Sequence, residues 1–247
     1  MPSAEYPLSL EHVRREAEAV GLAWRGAFHP QPEDAVPPFD DGGSVRTVVL
    51  LGSIGHRQWA DFVSSPEYAD GAADPLDRWS RRVIDTLATA CDGLGLFPSQ
   101  GPPWMPFQRW ARRAEPLHPS PLGLLIHPEY GLWHAYRGAL GLRPRLGRPA
   151  PPDNPSPCDS CSAKPCLSAC PVQAFSVSGY DRSRCVGHVG SASGSECFSD
   201  NCRARHACPV GAQHRYTREQ SEFHMRAFLG MPRAARSRSS PSMIPER

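Results

Sequence analysis

Eight of the nine cysteines in this 247-residue chain fall in one window, between residues 158 and 208. They form two runs, Cys158-x2-Cys161-x4-Cys166-x3-Cys170-Pro171 and Cys185-x11-Cys197-x4-Cys202-x5-Cys208-Pro209. Each run has four cysteines and ends in Cys-Pro, a pattern typical of proteins that bind two [4Fe–4S] clusters. The fold must bring these soft thiolates together in sets of four, because each cubic cluster takes four thiolate ligands.

The two runs are expected to exchange one ligand each. In two-cluster ferredoxins, the cysteine before proline in one run ligates the cluster of the other run. By that rule the first cluster is held by Cys158, Cys161, Cys166 and Cys208. The second cluster is held by Cys185, Cys197, Cys202 and Cys170. This chemistry is one-electron transfer, so the rest of the chain is expected to receive or supply electrons.

Three alternatives for these cysteines stay open. Paired zinc sites need C-x2-C knuckles, and Cys158-x2-Cys161 is the one pair with that spacing. Disulfides need an oxidising compartment, but residues 1–18 lack the basic and apolar regions of a signal peptide, which favours the cytoplasm. The irregular x11 and x5 gaps also allow a second run that binds nothing. Cys91, the ninth cysteine, is expected to be a buried core thiol.

Composition predicts two folded units and a tail. A Pro-rich stretch, residues 143–157, is typical of an extended linker. The predicted units are an α/β domain (1–148), a dicluster ferredoxin-type domain (151–213), a C-terminal helix (214–230) and a disordered tail (231–247) that is rich in Arg, Ser and Pro.

Local patterns predict the main elements of the first domain. Ser9 is expected to cap a helix that ends at Gly21. The apolar residues 45–55 predict a buried strand. Residues 74–95 predict an amphipathic helix that starts at Asp74-Pro75. Two further strands, 124–126 and 132–140, are expected to flank a turn at 127–131.

The segment IHPEYGLWHAYRG, residues 126–138, carries a family resemblance. It resembles the His-Pro-x-aromatic-Gly-x-Trp…Arg-Gly segment of cobalamin-processing proteins of the cblC type. The resemblance implies a nitroreductase-related α/β fold that binds a corrinoid. It places His127 near the corrinoid face, with Tyr130 and Trp133 lining the pocket. The expected fold class is therefore α+β, with this α/β domain followed by a small ferredoxin-like two-cluster module.

The order of the two units resembles epoxyqueuosine reductases and corrinoid-dependent reductive dehalogenases. The segment Tyr180-Asp181-Arg182-Ser183-Arg184-Cys185 is similar to the one that enters the second cluster of epoxyqueuosine reductases. The resemblance implies an iron–sulfur protein that delivers electrons to a corrinoid, or less favourably a flavin, in its own first domain. It leaves open whether the chain is itself an oxidoreductase.

Two other function classes compete with this interpretation. One is a plain dicluster electron carrier that docks a separate redox enzyme, and the other is a structural metal protein. A redox protein that donates electrons is an expected partner. A formal net charge of +2 gives no strong case for nucleic acid, and no run of 18 apolar residues predicts a membrane span. The chain has no phosphate-binding, dinucleotide-binding, serine hydrolase or zincin motif.

Overall fold

The computed structural model of the chain describes residues 8–147, 154–176 and 179–232. The helices are α1 (Leu10–Ala19), α2 (Trp59–Val63), α3 (Pro66–Ala69), α4 (Pro75–Ala90), α5 (Phe107–Ala114), α6 (Pro165–Ser168), α7 (Arg182–Val189), α8 (Ser195–Ser199), α9 (Arg203–His206) and α10 (Arg218–Phe228). The strands are β1 (Ala23–Phe28), β2 (Thr47–Ile54), β3 (Gly93–Leu96), β4 (His118–Pro119), β5 (Leu125–Ile126), β6 (His134–Leu142), β7 (Phe175–Ser176) and β8 (Gly179–Tyr180). Short 3-10 turns lie at Pro32–Asp34, Ala192–Gly194 and Ala212–His214. The chain is thus of mixed α/β type.

An antiparallel sheet in the order β1-β2-β6-β3 forms the centre of the first domain. Strand β2 is the buried strand that the apolar run predicted, and Val48, Val49, Leu50 and Leu51 are inaccessible to solvent. Both faces of this strand are covered, which explains its continuous rather than alternating apolar pattern. Burial of each such side chain stabilises the fold by about 1.5–3 kcal/mol.

Helices pack against both faces of the sheet. On one face, α1 and α4 cover Val49 and Leu51 from β2. On the other face, α5 places Phe107 and Trp110 against Val48 and Leu50. The first domain therefore has three layers, and the loops at one edge of the sheet are free to form a site.

The predicted helices α1 and α4 are confirmed, with one error at the end of α4. The Ser9 hydroxyl caps α1 by accepting the His12 N–H at 3.1 Å. Helix α4 begins at Pro75 as predicted but ends at Ala90. The predicted last turn is wrong because Gly93–Leu96 forms β3 and pairs with β6.

The turn predicted at 127–131 is confirmed, but the hairpin around it is wrong. His127 and Gly131 exchange two backbone hydrogen bonds of 2.9 Å. Strand β5 pairs with β4 instead of the following strand, and β6 pairs with β2 and β3. The long-range pairing of β6 in the central sheet buries more apolar surface than a two-residue strand could offer.

The described residues from 154 to 213, which carry eight cysteines and which we call the cysteine module, pack directly on this turn. A Cβ atom added at Gly131 would overlap the Val210 carbonyl, and one added at Gly211 would overlap the Tyr130 carbonyl. Both glycines have positive φ, +58° and +71°. The backbone after Cys208 therefore lies against the backbone after His127 without intervening side chains.

Helix α10 makes a second attachment between the module and the first domain. Phe223 packs on the rings of Trp59 and Phe62, each with a centroid distance of 5.3 Å. The Gln220 side-chain amide donates a 3.1 Å hydrogen bond to the Gly55 carbonyl. The predicted helix over 214–230 is confirmed within Arg218–Phe228, and it clamps the module to the sheet domain.

The predicted domain boundary near 148–151 lies outside the described residues, as do residues 233–247 of the predicted tail. In the described part of the chain, no helix combines the length and apolar character needed to cross a membrane.

Replacing Gly131 by Ala should destabilise the protein by about 3 kcal/mol or more, from strain at positive φ and overlap with Val210. Gly123→Ala is the matched control, because Gly123 has φ +72° but no atom within 4 Å of the point where an added Cβ would lie. The control should lose only about 1 kcal/mol. Chemical denaturation of both variants measures the difference, and equal losses would show that the close approach of the two backbones contributes nothing.

Candidate functional site

Four cysteines from both runs line one cavity, which we call the first thiol cavity. Its volume is about 240 Å³. The thiols are those of Cys158, Cys161, Cys166 and Cys208. Ile126 and Pro121 of the first domain close another side of it. The structure thus brings together the four residues that sequence reasoning assigned to one cluster.

The other four cysteines line a second thiol cavity of about 230 Å³. They are Cys170, Cys185, Cys197 and Cys202. The rest of its wall includes Tyr180 from the β7–β8 hairpin, His188 from α7, and Met225 and Phe228 from α10. Each cavity therefore has three thiols from one run and one thiol from the other.

All nine cysteines are free thiols, and Cys91 is a buried core thiol as expected, only 6% exposed. Burial raises the pKa of Cys158, and the neighbouring Cys208 and Cys166 thiols raise it further. Burial likewise raises the pKa of Cys197, with Cys170 contributing in the same direction. Within the described ranges, no three His, Cys, Asp or Glu side chains converge closely enough to bind a single metal ion.

The ring of His127 has a fixed tautomer. Its Nδ1 accepts the backbone N–H groups of Glu129 at 3.0 Å and Tyr130 at 3.2 Å. Nδ1 is therefore unprotonated, and the neutral ring carries its proton on Nε2. Burial lowers the pKa of His127 below its ordinary value, and Arg25 lowers it as well. The neutral ring can donate a hydrogen bond from Nε2, but that nitrogen has no free lone pair for a metal.

A cavity of about 660 Å³ opens beside this ring, and we call it the His127 cavity. The ring of Tyr130 stacks on His127 at a centroid distance of 4.2 Å and an interplanar angle of 12°. Both residues line the cavity. Polar side chains also line it, namely Arg14, Glu18, Arg57, Gln58, Glu115, Glu129 and Asn154. Its volume lies in the range of small-molecule and cofactor sites.

The His127 cavity continues into a wider groove of about 1210 Å³, the Trp104 groove. Glu115, Pro116 and Asn154 line both spaces. Trp104 on the groove is 66% exposed, whereas Trp110 is fully buried and donates its Nε1–H to the Asp34 carbonyl at 2.9 Å. Of these two tryptophans, Trp104 alone faces the site.

Trp133 lies elsewhere and is not among the described residues that line the His127 cavity. It is fully buried, with the Arg205 guanidinium 4.2 Å from its ring centroid and the Tyr216 ring at 5.4 Å. Arg205 also donates to the Leu132 carbonyl from Nε at 3.1 Å. Trp133 thus packs between the first domain and the cysteine module.

A buried ion pair holds Glu115, which lines both the His127 cavity and the Trp104 groove. Arg25 in β1 donates to Glu115 from Nε at 3.0 Å and from Nη2 at 2.8 Å. The Tyr136 hydroxyl donates to the same carboxylate, and Arg25 also donates to the Ser53 carbonyl at 3.0 Å. Burial is the largest single influence and lowers the pKa of Arg25, but the combined interactions with Glu115, Tyr136 and Tyr130 raise it by more, so that the pKa of Arg25 is raised.

Sequence reasoning missed Arg25, Glu115 and Tyr136. A signal existed in the apolar strand AWRGAF, where Arg25 interrupts the run. A charge at a buried strand position requires a partner. The sequence did not tell which of the acidic residues supplies it, because Glu115 lies 90 positions away.

The first thiol cavity and the His127 cavity are neighbours along the chain. Ile126 lines the former and His127 lines the latter. Consecutive Cα atoms are about 3.8 Å apart. The two cavities are therefore lined by adjacent residues of the chain at this point.

No protein-family model and no curated protein sequence matches this chain. Among solved structures, epoxyqueuosine reductase in complex with an epoxyqueuosine-modified tRNA-Tyr stem loop is similar, with a TM-score of 0.48 and 14% identity over 86% of this chain and 68% of that one. Epoxyqueuosine reductase from Bacillus subtilis has a TM-score of 0.47 and 15% identity, over 84% and 66%. The C. elegans B12-trafficking protein CblC, described as a human MMACHC homologue, has a TM-score of 0.49 and 16% identity, over 88% and 92%.

His134, beneath His127, should make the stability of the protein depend on pH. Burial and the positive charge of Arg25 lower its pKa to about 2. The unfolded chain binds a proton at this residue near pH 6.5, whereas the folded chain does not. Its contribution to stability is full above pH 6.5 and is lost as pH falls, by about 1 kcal/mol between pH 6.5 and 5.5.

His134→Gln should remove this pH dependence, because an amide side chain does not titrate. The amide also keeps a donor for the Leu125 carbonyl, which His134 Nε2 contacts at 3.1 Å. Urea denaturation of both proteins at pH 6.5 and 5.5 measures how steeply the free energy of unfolding depends on pH in each. An unchanged slope in the variant would contradict the assignment of a neutral, buried His134.

Proposed function

We propose that this protein binds two [4Fe–4S] clusters and carries electrons to a corrinoid in the His127 cavity. The observation that carries the proposal is the division of eight thiols between two cavities, four in each, one of which adjoins the His127 cavity. Residues 8–147 would then form the corrinoid-binding unit and residues 154–213 the cluster unit, with α10 as the clamp between them.

The two thiol cavities fit a cluster better than a zinc ion. Each has a volume of 230–240 Å³, which is roughly eight times the volume of one water molecule in the liquid. Four sulfurs around a zinc ion lie about 2.3 Å from it and leave no such space. Thiolates are the soft ligands that iron–sulfur clusters require. The raised pKa values of Cys158 and Cys197 imply that binding would displace protons from these two thiols.

The exchange of Cys170 and Cys208 would connect the two clusters through the chain. Cys170 belongs to the first cysteine run, and the other three cysteines of that run line the first thiol cavity. Cys170 itself lines the second thiol cavity. Its Sγ accepts the Ala174 N–H at 3.3 Å, and such hydrogen bonds to sulfur raise the reduction potential of a cluster. Cys208 makes the reverse crossing immediately before the backbone contact between Gly211 and Tyr130.

The His127 cavity offers groups suited to a large planar ligand with polar side arms. The stacked rings of His127 and Tyr130 give a flat aromatic surface. Arg57, Gln58 and Asn154 supply donors and acceptors at its wall for amide or phosphate groups. The adjoining Trp104 groove gives a ligand of corrinoid size room to extend.

When bound, the clusters and the corrinoid would supply one-electron chemistry and a reducible cobalt centre. The protein would bind and orient the corrinoid through these walls. His127 would donate a hydrogen bond from Nε2 to the ligand. Arg25 would hold Glu115 in place in the cavity wall, because removing either partner leaves a buried charge unpaired.

Paired cysteine variants test the assignment of the thiols to two clusters. Cys158→Ser and Cys208→Ser should remove the same cluster, although they belong to different runs, and Cys170→Ser and Cys197→Ser should remove the other. Each single variant should retain about four irons per chain, with one EPR signal of the reduced protein missing. Cys91→Ser is the control and should retain both signals. If Cys208→Ser removed the same signal as Cys197→Ser, the ligand exchange would be wrong.

A titration of the reduced protein with cob(II)alamin, followed by visible spectroscopy, tests the proposed cofactor. A saturable spectral shift is expected. His127→Ala should weaken binding about fivefold, the loss of one neutral hydrogen bond of about 1 kcal/mol. The spectrum of the bound form should stay unchanged, because His127 is not a cobalt ligand. No shift with the wild-type protein would reduce the first domain to a docking module and favour a plain electron carrier.

A further inference from the structure

The second thiol cavity shares no described lining residue with the His127 cavity. Its described lining residues all lie between Cys170 and Phe228, and none belongs to the sheet domain. The first thiol cavity, in contrast, is lined by Pro121 and Ile126 of that domain. If electrons leave through the first cluster, they arrive through the second.

Arginines surround the second thiol cavity on its outer side. Arg203 lines the cavity itself. The Arg182 guanidinium lies 5.2 Å from the ring centroid of Phe228, a lining residue. Arg184 donates to the carbonyl of Val172, also a lining residue, at 3.4 Å. Arg226 follows Met225 on α10.

Arginines outnumber carboxylates around this cavity, even with the exposed Asp200 at the end of α8 counted. Asp181 pairs with Arg184 at 3.7 Å, and Glu196 pairs with Arg203 at 2.8 Å. Arg182 and Arg226 have no carboxylate partner among the described residues. Two cations are thus left over beside the cavity.

Large apolar side chains are exposed at the second thiol cavity and just after α10, a helix that also lines this cavity. Tyr180 is 43% exposed and Met231, just after α10, is 46% exposed. The Tyr180 ring stacks on Phe175 at 4.9 Å, and its hydroxyl forms a hydrogen bond with the Cys185 thiol. Tyr, Met and Arg are the residues that are enriched in protein–protein interfaces. The exposed ring therefore joins the outer surface to a ligand of the second cluster.

We propose that a small acidic electron-carrier protein docks on this face and reduces the second cluster. The inference rests on the proposed function and adds to it the surface and the charge of the electron donor. In the transfer, the reduced centre of the carrier loses one electron and the second cluster gains it, with no bond formed or broken. Arg182 and Arg226 attract the carrier, because opposite charges on two surfaces accelerate their association.

Stopped-flow spectroscopy tests this with the full-length holoprotein and a reduced plant-type [2Fe–2S] ferredoxin as the acidic carrier. If equilibrium favours the ferredoxin, the reverse transfer from the reduced holoprotein uses the same surface. In the R182E/R226E double variant, the second-order rate constant should fall about tenfold or more at low ionic strength. Arg46→Glu is the matched control, since Arg46 is exposed at the far end of β2, and its rate should stay within about twofold of the wild type.

Salt gives an independent measurement that needs no variant. The wild-type rate should fall as ionic strength rises from about 10 mM to about 0.5 M, and the double variant should lose most of this dependence. Equal rates for the wild type and the double variant, or a wild-type rate insensitive to salt, would overturn the proposed docking face. Iron content and reduction by dithionite show separately whether the two clusters are present. If both clusters are intact but the rate does not depend on charge, the docking face is wrong and the proposed function stands.

Discussion

The contact between two glycine-containing backbone segments is the constraint on which the rest of the molecule depends. Gly131 meets the Val210 carbonyl and Gly211 meets the Tyr130 carbonyl, so no side chain fits between the sheet domain and the segment after Cys208. Beside this contact, Ile126 lines the first thiol cavity and its neighbour His127 lines the His127 cavity. Electron transfer from a cluster to a ligand of the sheet domain would need such closeness, and a flexible linker alone could not provide it.

A buried charged partner fixes one carboxylate in the wall of the His127 cavity. Arg25 is inaccessible to solvent, and its guanidinium is satisfied by Glu115 and the Ser53 carbonyl. A buried pair of this kind adds little net stability but fixes geometry, because moving or removing either residue leaves the other charge buried without a partner. Tyr136 joins the network from β6, the strand that continues from the His127 turn. The carboxylate in the wall of the His127 cavity is therefore held by β1 through Arg25 and by β6 through Tyr136.

Local features were predictable from the sequence, and long-range pairing was not. Ser9, Pro75 and the apolar run of β2 act within their own segments, so the starts of α1 and α4 and the burial of β2 followed from them. The end of α4 depends on the pairing of β3 with β6, whose residues lie more than 20 positions away in the sequence. The partner of β5 is β4, a strand of only two residues that has no recognisable sequence pattern. For the site, the cysteine spacing predicted which cysteines line a cavity together, because the exchange of one ligand between runs is a property of the motif in two-cluster ferredoxins. The Arg25–Glu115 pair and the position of Trp133 depend on tertiary packing, which spacing does not encode.

The most direct test of the account is the metal and sulfide content of the protein after anaerobic purification, with Mössbauer spectroscopy to identify the iron species. Two cubic clusters predict about eight irons and about eight acid-labile sulfides per chain, all in [4Fe–4S] form. Zinc in place of iron, or a chain whose eight thiols titrate freely after anaerobic reconstitution with iron and sulfide, would contradict the central claim that the two thiol cavities are cluster sites.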